Sequence, residues 1–358
     1  MARVLISGYV GAGNLGDEAI LAGLTPALRA AGFTPSALSA RPRATRALHG
    51  LPARHRLVGL PAALAGADAL VSGGGGLLQD RTSGRSLRYY LGVVRLARAF
   101  GVRVVVFGQS VGPLSPAGRT AVARALAGVP ILVRDAPSRA LLAELGLDAA
   151  LGADPALLLA ATAPPTDGGR DGRTAEGSAG GRDGDGDGAH RPTLLIPRAD
   201  VPGVEGALTT LARRARAAGD RVVVAALEAG ADDAAARRIA AAADAEVASW
   251  ADPWTAARDV AAAARVVSVR LHGLILAARA GVPHVGVGYD PKVAGFADAS
   301  GGRVVALGED LEGRLLAAWE ALAADPDAAR GAAERGAALR AEAAAAVDWL
   351  AATLRAGG

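Results

Sequence analysis

Arg270, His272 and Lys292 are the side chains of this sequence best suited to binding a compact anion. Arg270 and His272 follow the apolar run that ends at Val269, and Lys292 follows a second apolar run twenty residues beyond His272. Both runs read as buried strands, and side chains at the carboxyl ends of such strands face the ligand cleft of an α/β sheet. Guanidinium, imidazole and ammonium groups together form a suitable cradle for a dianion.

Lys292 is the single lysine among 39 lysine and arginine residues. In a chain that uses arginine almost everywhere, a retained lysine indicates a position where a compact ammonium fits and a planar guanidinium does not. The alternative is chance survival on an exposed surface. The neighbouring arginine, histidine and strand ends favour the binding role.

Two further arginines follow predicted strands. Arg134 ends the run Ile131–Arg134 and precedes Asp135, and Arg198 follows Leu195-Ile196-Pro197. Each would face the same cleft, one from either half of the chain. For Arg134, an ion pair with Asp135 that only fixes the loop is the alternative interpretation.

The glycine-rich segment after the first strand places polar groups at the start of a helix. Gly11, Gly13 and Gly16 satisfy the dinucleotide fingerprint. The acidic residue expected about 20 positions on is replaced by Leu38-Ser39-Ala40-Arg41, which disfavours NAD and leaves NADP open. Asn14, Asp17 and Glu18 suit sugar hydroxyls better than phosphate. Their alternative role is helix capping.

A second glycine run, Gly73–Gly76, follows the strand Ala69–Gly73. Consecutive glycines let a backbone approach a ligand closely and leave amide donors free. We therefore expect Gly74, Gly75 and the nearby Gln79 to face the ligand cleft.

Alternating apolar runs and Ala/Leu-rich stretches predict the fold that positions these residues. Short β-branched runs alternate with helical segments in both halves of the chain, which is typical of parallel sheets covered by helices. The predicted fold class is α/β, with two doubly wound Rossmann-like domains facing a cleft. We predict an N-terminal domain at 1–160, a disordered Gly/Asp/Arg-rich linker or insertion at 161–191, and a C-terminal domain with a helical tail at 192–358.

Composition excludes several classes of function. Aromatic residues make up 3% of the chain, too few for the stacking platforms of single-stranded nucleic acid binding. The net charge is +4, and the arginines are mixed with acidic residues so that no basic block is evident. There are no cysteines, and histidines and carboxylates do not fall at metal-ligand spacing. We expect no metal, no cofactor and no nucleic acid partner.

The N-terminus and the hydropathy pattern indicate the location of the protein. The segment Met1–Gly8 lacks the apolar core and cleavage site of a signal peptide. No uninterrupted apolar stretch of about 18 residues occurs. The sequence predicts a cytoplasmic protein with at most peripheral contact to the inner face of the membrane.

Taken together, these motifs resemble the polysaccharide pyruvyl transferases, especially the bacterial branch that modifies cell-wall polymers. The resemblance covers nearly the whole chain apart from 161–191. It rests on these segments: Ser7-Gly8-Tyr9, Gly13-Asn14-Leu15-Gly16-Asp17-Glu18, Ser72-Gly73-Gly74-Gly75-Gly76-Leu77-Leu78-Gln79-Asp80, Gly108-Gln109-Ser110-Val111-Gly112-Pro113, Arg134-Asp135, Arg270-Leu271-His272 and Tyr289-Asp290-Pro291-Lys292-Val293.

The resemblance implies a GT-B-like fold and a reaction. Phosphoenolpyruvate would be the co-substrate, and a pyruvate ketal would form on a sugar such as N-acetylmannosamine, carried on a lipid, in cell wall biogenesis and S-layer anchoring. Phosphoenolpyruvate would lie near Arg134, Arg198, Arg270, His272 and Lys292. The acceptor would lie near Asn14, Asp17, Glu18, Gly74, Gly75 and Gln79, with Asp17 and His272 as the catalytic residues.

Two other functions remain open at this point. The first is a GT-B glycosyltransferase that uses a nucleotide sugar, and the second is a non-catalytic sugar-binding protein. The intact set of Arg134, His272 and Lys292 disfavours the second.

Overall fold

A computed structural model describes residues 1–81, 84–163 and 191–356. The predicted linker therefore lies largely outside the described residues, since 164–190 are not included. Among the described residues, two parallel sheets are present, one in each half of the chain. This confirms the predicted α/β fold class with two doubly wound domains.

The N-terminal lobe is built on a sheet of apolar, mostly buried strands. Its strands are β1 (Arg3–Ser7), β2 (Thr34–Ser39), β3 (Ala53–His55), β4 (Ala69–Gly73), β5 (Arg103–Gln109), β6 (Ile131–Val133) and β7 (Ala150–Leu151). Its helices are α1 (Leu15–Ala30), α2 (Pro42–His49), α3 (Leu60–Ala65), α4 (Gly84–Ala99), α5 (Pro116–Leu126) and α6 (Ala136–Glu144). The strand order is β3-β2-β1-β4-β5-β6-β7. The order reverses between β1 and β4, which places a crevice at the ends of these two strands.

The C-terminal lobe repeats this plan. Its strands are β8 (Thr193–Ile196), β9 (Val222–Ala225), β10 (Glu246–Ala248), β11 (Arg265–Ser268), β12 (His284–Gly288) and β13 (Arg303–Ala306). Its helices are α7 (Val204–Ala217), α8 (Asp233–Ala243), α9 (Pro253–Ala262), α10 (Leu271–Ala280), α11 (Pro291–Ala299), α12 (Leu311–Ala324) and α13 (Ala328–Arg355). The order β10-β9-β8-β11-β12-β13 again reverses beside the first strand of the lobe.

Two features join the lobes. The glycine loop after β1 pairs with the loop after β9, since Leu15 N donates to Leu227 O and Ala229 N donates to Gly13 O, both at 3.0 Å. The last turns of α13 pack against the first sheet, where Leu350 belongs to the same buried cluster as Val4, Ile6 and Val105. The helical tail thus contributes to the core of both lobes.

The edge strands β3 and β7 were not predicted from the sequence. They contain three and two residues, which is too short for an apolar pattern to indicate a strand. None of the described helices combines the length and apolar character that a membrane span requires.

Candidate active site

Arg134 is held at the carboxyl end of β6 by groups on two sides. Its Nε donates to Ser110 Oγ at 2.8 Å, and Ser110 in turn donates to Asp135 at 2.6 Å. Its Nη1 forms an ion pair with Asp154, and both side chains are buried. The alternative interpretation, a direct ion pair between Arg134 and Asp135, is not observed: Ser110 lies between the two side chains, and the guanidinium pairs with Asp154.

His272 reaches the same point from the C-terminal lobe. It occupies the first turn of α10, and its Nε2 lies 3.8 Å from Asp154 Oδ2. This buried nitrogen has no hydrogen-bond partner among the described residues. Burial lowers the pKa of His272 to about 4; the nearby carboxylate of Asp154 opposes this shift, and the cations Arg134 and Lys292 reinforce it. A neutral imidazole therefore faces the cleft near neutral pH.

Lys292 lies in the first turn of α11, beside the second glycine loop. Its Nζ is 3.6 Å from Asp290 Oδ2, a looser pairing than that of Arg134. A Cβ on Gly76 would lie 3.3 Å from the same Nζ, so the lysine contacts the N-terminal lobe. Burial lowers the pKa of Lys292, and the nearby Arg134 adds to this effect. The ammonium is thus a weakly paired cation inside the cleft.

Asp17 lies opposite these cations, in the first turn of α1. Burial raises the pKa of Asp17 to about 7, although the charge of Arg134 acts in the opposite direction. Gly75 packs against this carboxylate with a φ of +76°, and a Cβ there would lie 2.6 Å from Asp17 Oδ1. Only glycine allows the loop to come this close. A carboxyl group with this pKa can exchange a proton near neutral pH.

The other predicted anion-binding arginines are paired with carboxylates. Arg270 donates to Asp232 at 2.7 and 2.8 Å, and its Nη1 lies 2.6 Å from Glu228. Arg198 pairs with Asp200 and donates to the hydroxyl of Tyr289 at 2.7 Å. Both therefore line the C-terminal side of the cleft with their charges largely neutralised.

The remaining predicted acceptor-binding residues have local contacts. Asn14 caps α1 by accepting from the amide of Gly16 at 2.9 Å. Glu18 accepts from the amide of Gly11 and pairs with His49, both at 2.7 Å. Asn14 thus serves as the N-cap of α1, and the Glu18 carboxylate is engaged inside the protein by the Gly11 amide and His49.

Gly74 and Gln79 flank the part of the loop that contacts Asp17. A Cβ on Gly74 would lie 2.5 Å from Ile20, so this glycine also serves a close contact inside the protein. Gln79 is half-buried. The preceding residue, Leu78, forms an isolated parallel β-bridge with Val111. The glycine loop therefore packs on α1. The side chain of Asp17 contacts this loop, whereas that of Glu18 contacts Gly11 and His49.

A cavity of about 720 Å³ adjoins the site. Arg134, Asp154 and Lys292 line it together with side chains of α11 and α13, among them Phe296 and Trp349. This size is typical of a small-molecule site. The site is therefore open to a ligand larger than a single small anion.

Asp154 and Glu228 are site residues that the sequence did not reveal. Asp154 follows the two-residue strand β7 and contacts Arg134 and His272, which come from different lobes. Glu228 follows β9 and pairs with Arg270. An acidic residue directly after a short apolar run was the available signal in both cases. Among the described residues, no group of three or more His, Cys, Asp or Glu side chains could hold a metal ion.

Gly16 provides a test of the contact between the lobes. A Cβ at this position would lie 2.1 Å from His272 Nδ1. We expect Gly16→Ala to displace His272, to destabilise the fold by about 1–3 kcal/mol and to impair ligand binding. Gly92→Ala in α4 is the matched control, because a Cβ there meets open space. Thermal unfolding of both variants checks the expectation; equal stability of the two would contradict it.

The chain is similar to several solved structures, which support the fold alone. Against MnaA of S. aureus in a co-structure with UDP, the TM-score is 0.65 at 10% identity, covering 98% of this chain and 95% of that one. Against the UDP-GlcNAc 2-epimerase of Neisseria meningitidis bound to UDP-GlcNAc, it is 0.64 at 11% identity, covering 98% and 99%. Against the glycosyltransferase SsfS6 of Streptomyces sp. SF2575, it is 0.50 at 20% identity, covering 98% and 99%.

These neighbours place the two lobes in the GT-B-like group of folds. A search among curated proteins gives no match. The family model for polysaccharide pyruvyl transferase matches residues 14–291, a span that contains Asp17, Arg134 and His272 and ends directly before Lys292. Since this match covers most of the sequence and includes the residues that converge in the cleft, the chain belongs to the polysaccharide pyruvyl transferase family and is a transferase.

Proposed function

We propose that the protein transfers the pyruvyl group of phosphoenolpyruvate to two hydroxyls of a sugar in a cell-wall polysaccharide precursor. The product is a pyruvate ketal, and phosphate is released. The acceptor is a sugar such as N-acetylmannosamine. The observation that carries the proposal is the convergence of Arg134, His272 and Lys292 opposite Asp17, a carboxyl group whose pKa burial raises to about 7.

Phosphoenolpyruvate carries a phosphate and a carboxylate, so its site requires several fixed donors. Lys292 supplies a cation whose own carboxylate partner is 3.6 Å away. Arg134 is fixed by Ser110 and Asp154, which leaves its remaining N–H groups for the ligand. His272 supplies an imidazole nitrogen that has no other partner in the described chain. Charge-assisted contacts of this kind bind phosphate and carboxylate groups strongly.

The proposed reaction adds two hydroxyls to C2 of phosphoenolpyruvate. The first hydroxyl oxygen bonds to C2 as its proton passes to Asp17, and C3 gains a proton. The C2–O bond to phosphate then breaks, and phosphate leaves with the bonding electrons. The second hydroxyl oxygen bonds to C2 and closes the ketal. Of the two hydroxyl protons lost overall, one replaces the proton taken up at C3 and the other accompanies the released phosphate. Asp17 acts as the general base in this proposal, and the neutral His272 orients the phosphate.

A glycosyltransferase using a nucleotide sugar is the second candidate, because the similar structures include a glycosyltransferase and others that were solved with UDP or UDP-GlcNAc. Ligand-induced thermal stabilisation separates the two candidates. We expect phosphoenolpyruvate to raise the melting temperature and UDP-sugars to leave it unchanged. Stabilisation by a UDP-sugar alone would favour the glycosyltransferase.

Lys292→Arg tests the proposed anion site directly. The ammonium lies against Gly76 in a confined part of the cleft, where a wider planar group does not fit. A lost charge-assisted contact costs about 1.5–3 kcal/mol. We therefore expect phosphoenolpyruvate to bind roughly 10- to 150-fold more weakly, with an unchanged melting temperature of the free protein. Equal phosphoenolpyruvate affinity of variant and parent would remove Lys292 from the site.

A further inference from the structure

Charge is distributed very unevenly along this chain. Residues 41–124 contain thirteen arginines and two acidic residues, Asp68 and Asp80, a net charge of +11 in a protein whose total is +4. Asp68 pairs with Arg3, and Asp80 accepts from Ser115. These arginines form no contiguous basic block, yet this part of the chain carries a large excess of positive charge. The arginines are spaced along several elements, and only the fold brings them to one lobe.

A group of these arginines surrounds two exposed aliphatic side chains. Arg54 lies in β3, Arg56, Leu57 and Val58 lie between β3 and α3, and the hydroxyl of Tyr89 donates to the carbonyl of Arg56 at 3.0 Å. This bond fixes the segment against α4. Arg85 lies one turn before Tyr89 on the same side of that helix, and Arg88 is also exposed. We call Arg54, Arg56, Leu57, Val58, Arg85 and Arg88 the basic patch.

The arginines of the basic patch differ from many exposed arginines of the C-terminal lobe. Those commonly face a carboxylate, as in Arg214 with Glu320, Arg221 with Glu246 and Arg238 with Glu205. Throughout the described ranges, the salt bridges include none for the patch arginines. The four patch arginines, which lie in or after β3 and in the first turns of α4, thus have no carboxylate partner in the described chain. An external anionic partner would relieve their mutual repulsion.

The aliphatic pair indicates the kind of partner. Leu57 is 58% exposed and Val58 is 86% exposed, among the most exposed large apolar residues described. Contact with these aliphatic side chains would add little binding free energy for a soluble polyanion, and the bases of nucleic acid stack on aromatic rings rather than on aliphatic groups. A bilayer surface accommodates both features, because apolar side chains enter the interface while arginines contact lipid phosphates.

We propose that the basic patch docks the protein onto a bilayer that contains anionic lipids. Leu57 and Val58 enter the headgroup region, and Arg54, Arg56, Arg85 and Arg88 contact phosphate groups. Arg56, Leu57 and Val58 follow β3, and Arg85 and Arg88 lie in the first turns of α4, the helix that comes after β4. Both segments therefore lie toward the carboxyl ends of the strands, the edge of the sheet that also carries the glycine loop. The proposal concerns a surface outside the active site and does not depend on the reaction assigned to it.

Co-sedimentation of the full chain with lipid vesicles tests this surface. We expect binding to vesicles of phosphatidylglycerol and phosphatidylcholine, weakened by salt, and little binding to phosphatidylcholine alone. Each arginine near an anionic bilayer contributes about fivefold in affinity. Arg85→Ser with Arg88→Ser is therefore expected to bind about 25-fold more weakly. Leu57→Ser with Val58→Ser should also weaken vesicle binding severalfold, with an unchanged melting temperature.

Arg237→Ser with Arg303→Ser is the matched control, since it removes the same charge from two exposed positions outside the basic patch. It should bind vesicles like the parent. The proposal is overturned by equal binding to neutral and anionic vesicles, or by an equal loss in the control. It is also overturned if double-stranded DNA binds as tightly as vesicles and the Leu57, Val58 variant matches the parent, which would assign the surface to soluble polyanions.

Discussion

Asp17→Asn is expected to lower turnover by about two to four orders of magnitude, the usual contribution of a general base, while phosphoenolpyruvate still binds. Burial raises the pKa of Asp17 to about 7, so the base is fully ionised only above that pH. Turnover of the parent should therefore rise with pH and level off above about pH 7. The residual turnover of the variant should lack this dependence.

The same substitution has a predictable effect on stability. The pKa of Asp17 is raised on folding from 3.8 to about 7, so the folded state favours the protonated carboxyl group. Its favourable contribution to the free energy of unfolding is therefore fully present below about pH 4 and is lost as the pH rises through 7. Above pH 7 we expect the Asn variant to be as stable as the parent or more stable, by about 1–2 kcal/mol.

Asp233→Asn is the matched control for Asp17→Asn, because Asp233 is also an acidic residue in the first turn of a helix. It should retain full turnover. Steady-state kinetics across pH and thermal unfolding of both variants check these expectations. Loss of phosphoenolpyruvate binding in the Asp17 variant, with acceptor affinity intact, would assign Asp17 to the other substrate.

Asp154→Asn is expected to change both the rate and its pH dependence. Asp154 forms a buried ion pair with Arg134 and lies 3.8 Å from His272, so its removal should displace Arg134 and change the surroundings of His272. A displacement of about 1 Å at such groups lowers the rate by up to about 100-fold. The charge of Asp154 also raises the pKa of Asp17. Its removal should therefore shift the rise of turnover to lower pH, which loss of packing alone would not do.

Comparison with Asp154→Ala separates positioning from folding. Asp154 accepts from the amide of Ala156 at 2.8 Å, and Asn can keep this contact whereas Ala cannot. We expect the Ala variant to lose additional stability, about 0.5–2 kcal/mol as for other lost caps. If Asp154→Asn keeps the parent rate and the parent pH profile, Asp154 serves only to cap the short helix Pro155–Leu158.

The sequence by itself determined the family, the fold class and most of the residues that converge in the cleft. Short continuous apolar runs and the helical stretches between them report local burial, and parallel strands bring their carboxyl ends to one edge. For this reason Arg134, His272 and Lys292 could be placed near one another before any coordinates were considered. The glycines beside Asp17 could likewise be assigned to a close approach, but the sequence predicted a ligand as the partner, whereas Gly74 and Gly75 approach Ile20 and Asp17 of α1.

Tertiary structure alone decided which charges are free and which are paired. Arg270 looked like an anion ligand, but Glu228 and Asp232 neutralise it across a distance of about 40 residues in sequence. Asp154 became central because packing of the two lobes brings Arg134 and His272 to it. Strand pattern records only whether a position is buried, whereas the pairing of distant side chains depends on how complete elements pack. The basic patch has the same origin, since its arginines are scattered along the chain and meet only on the folded surface.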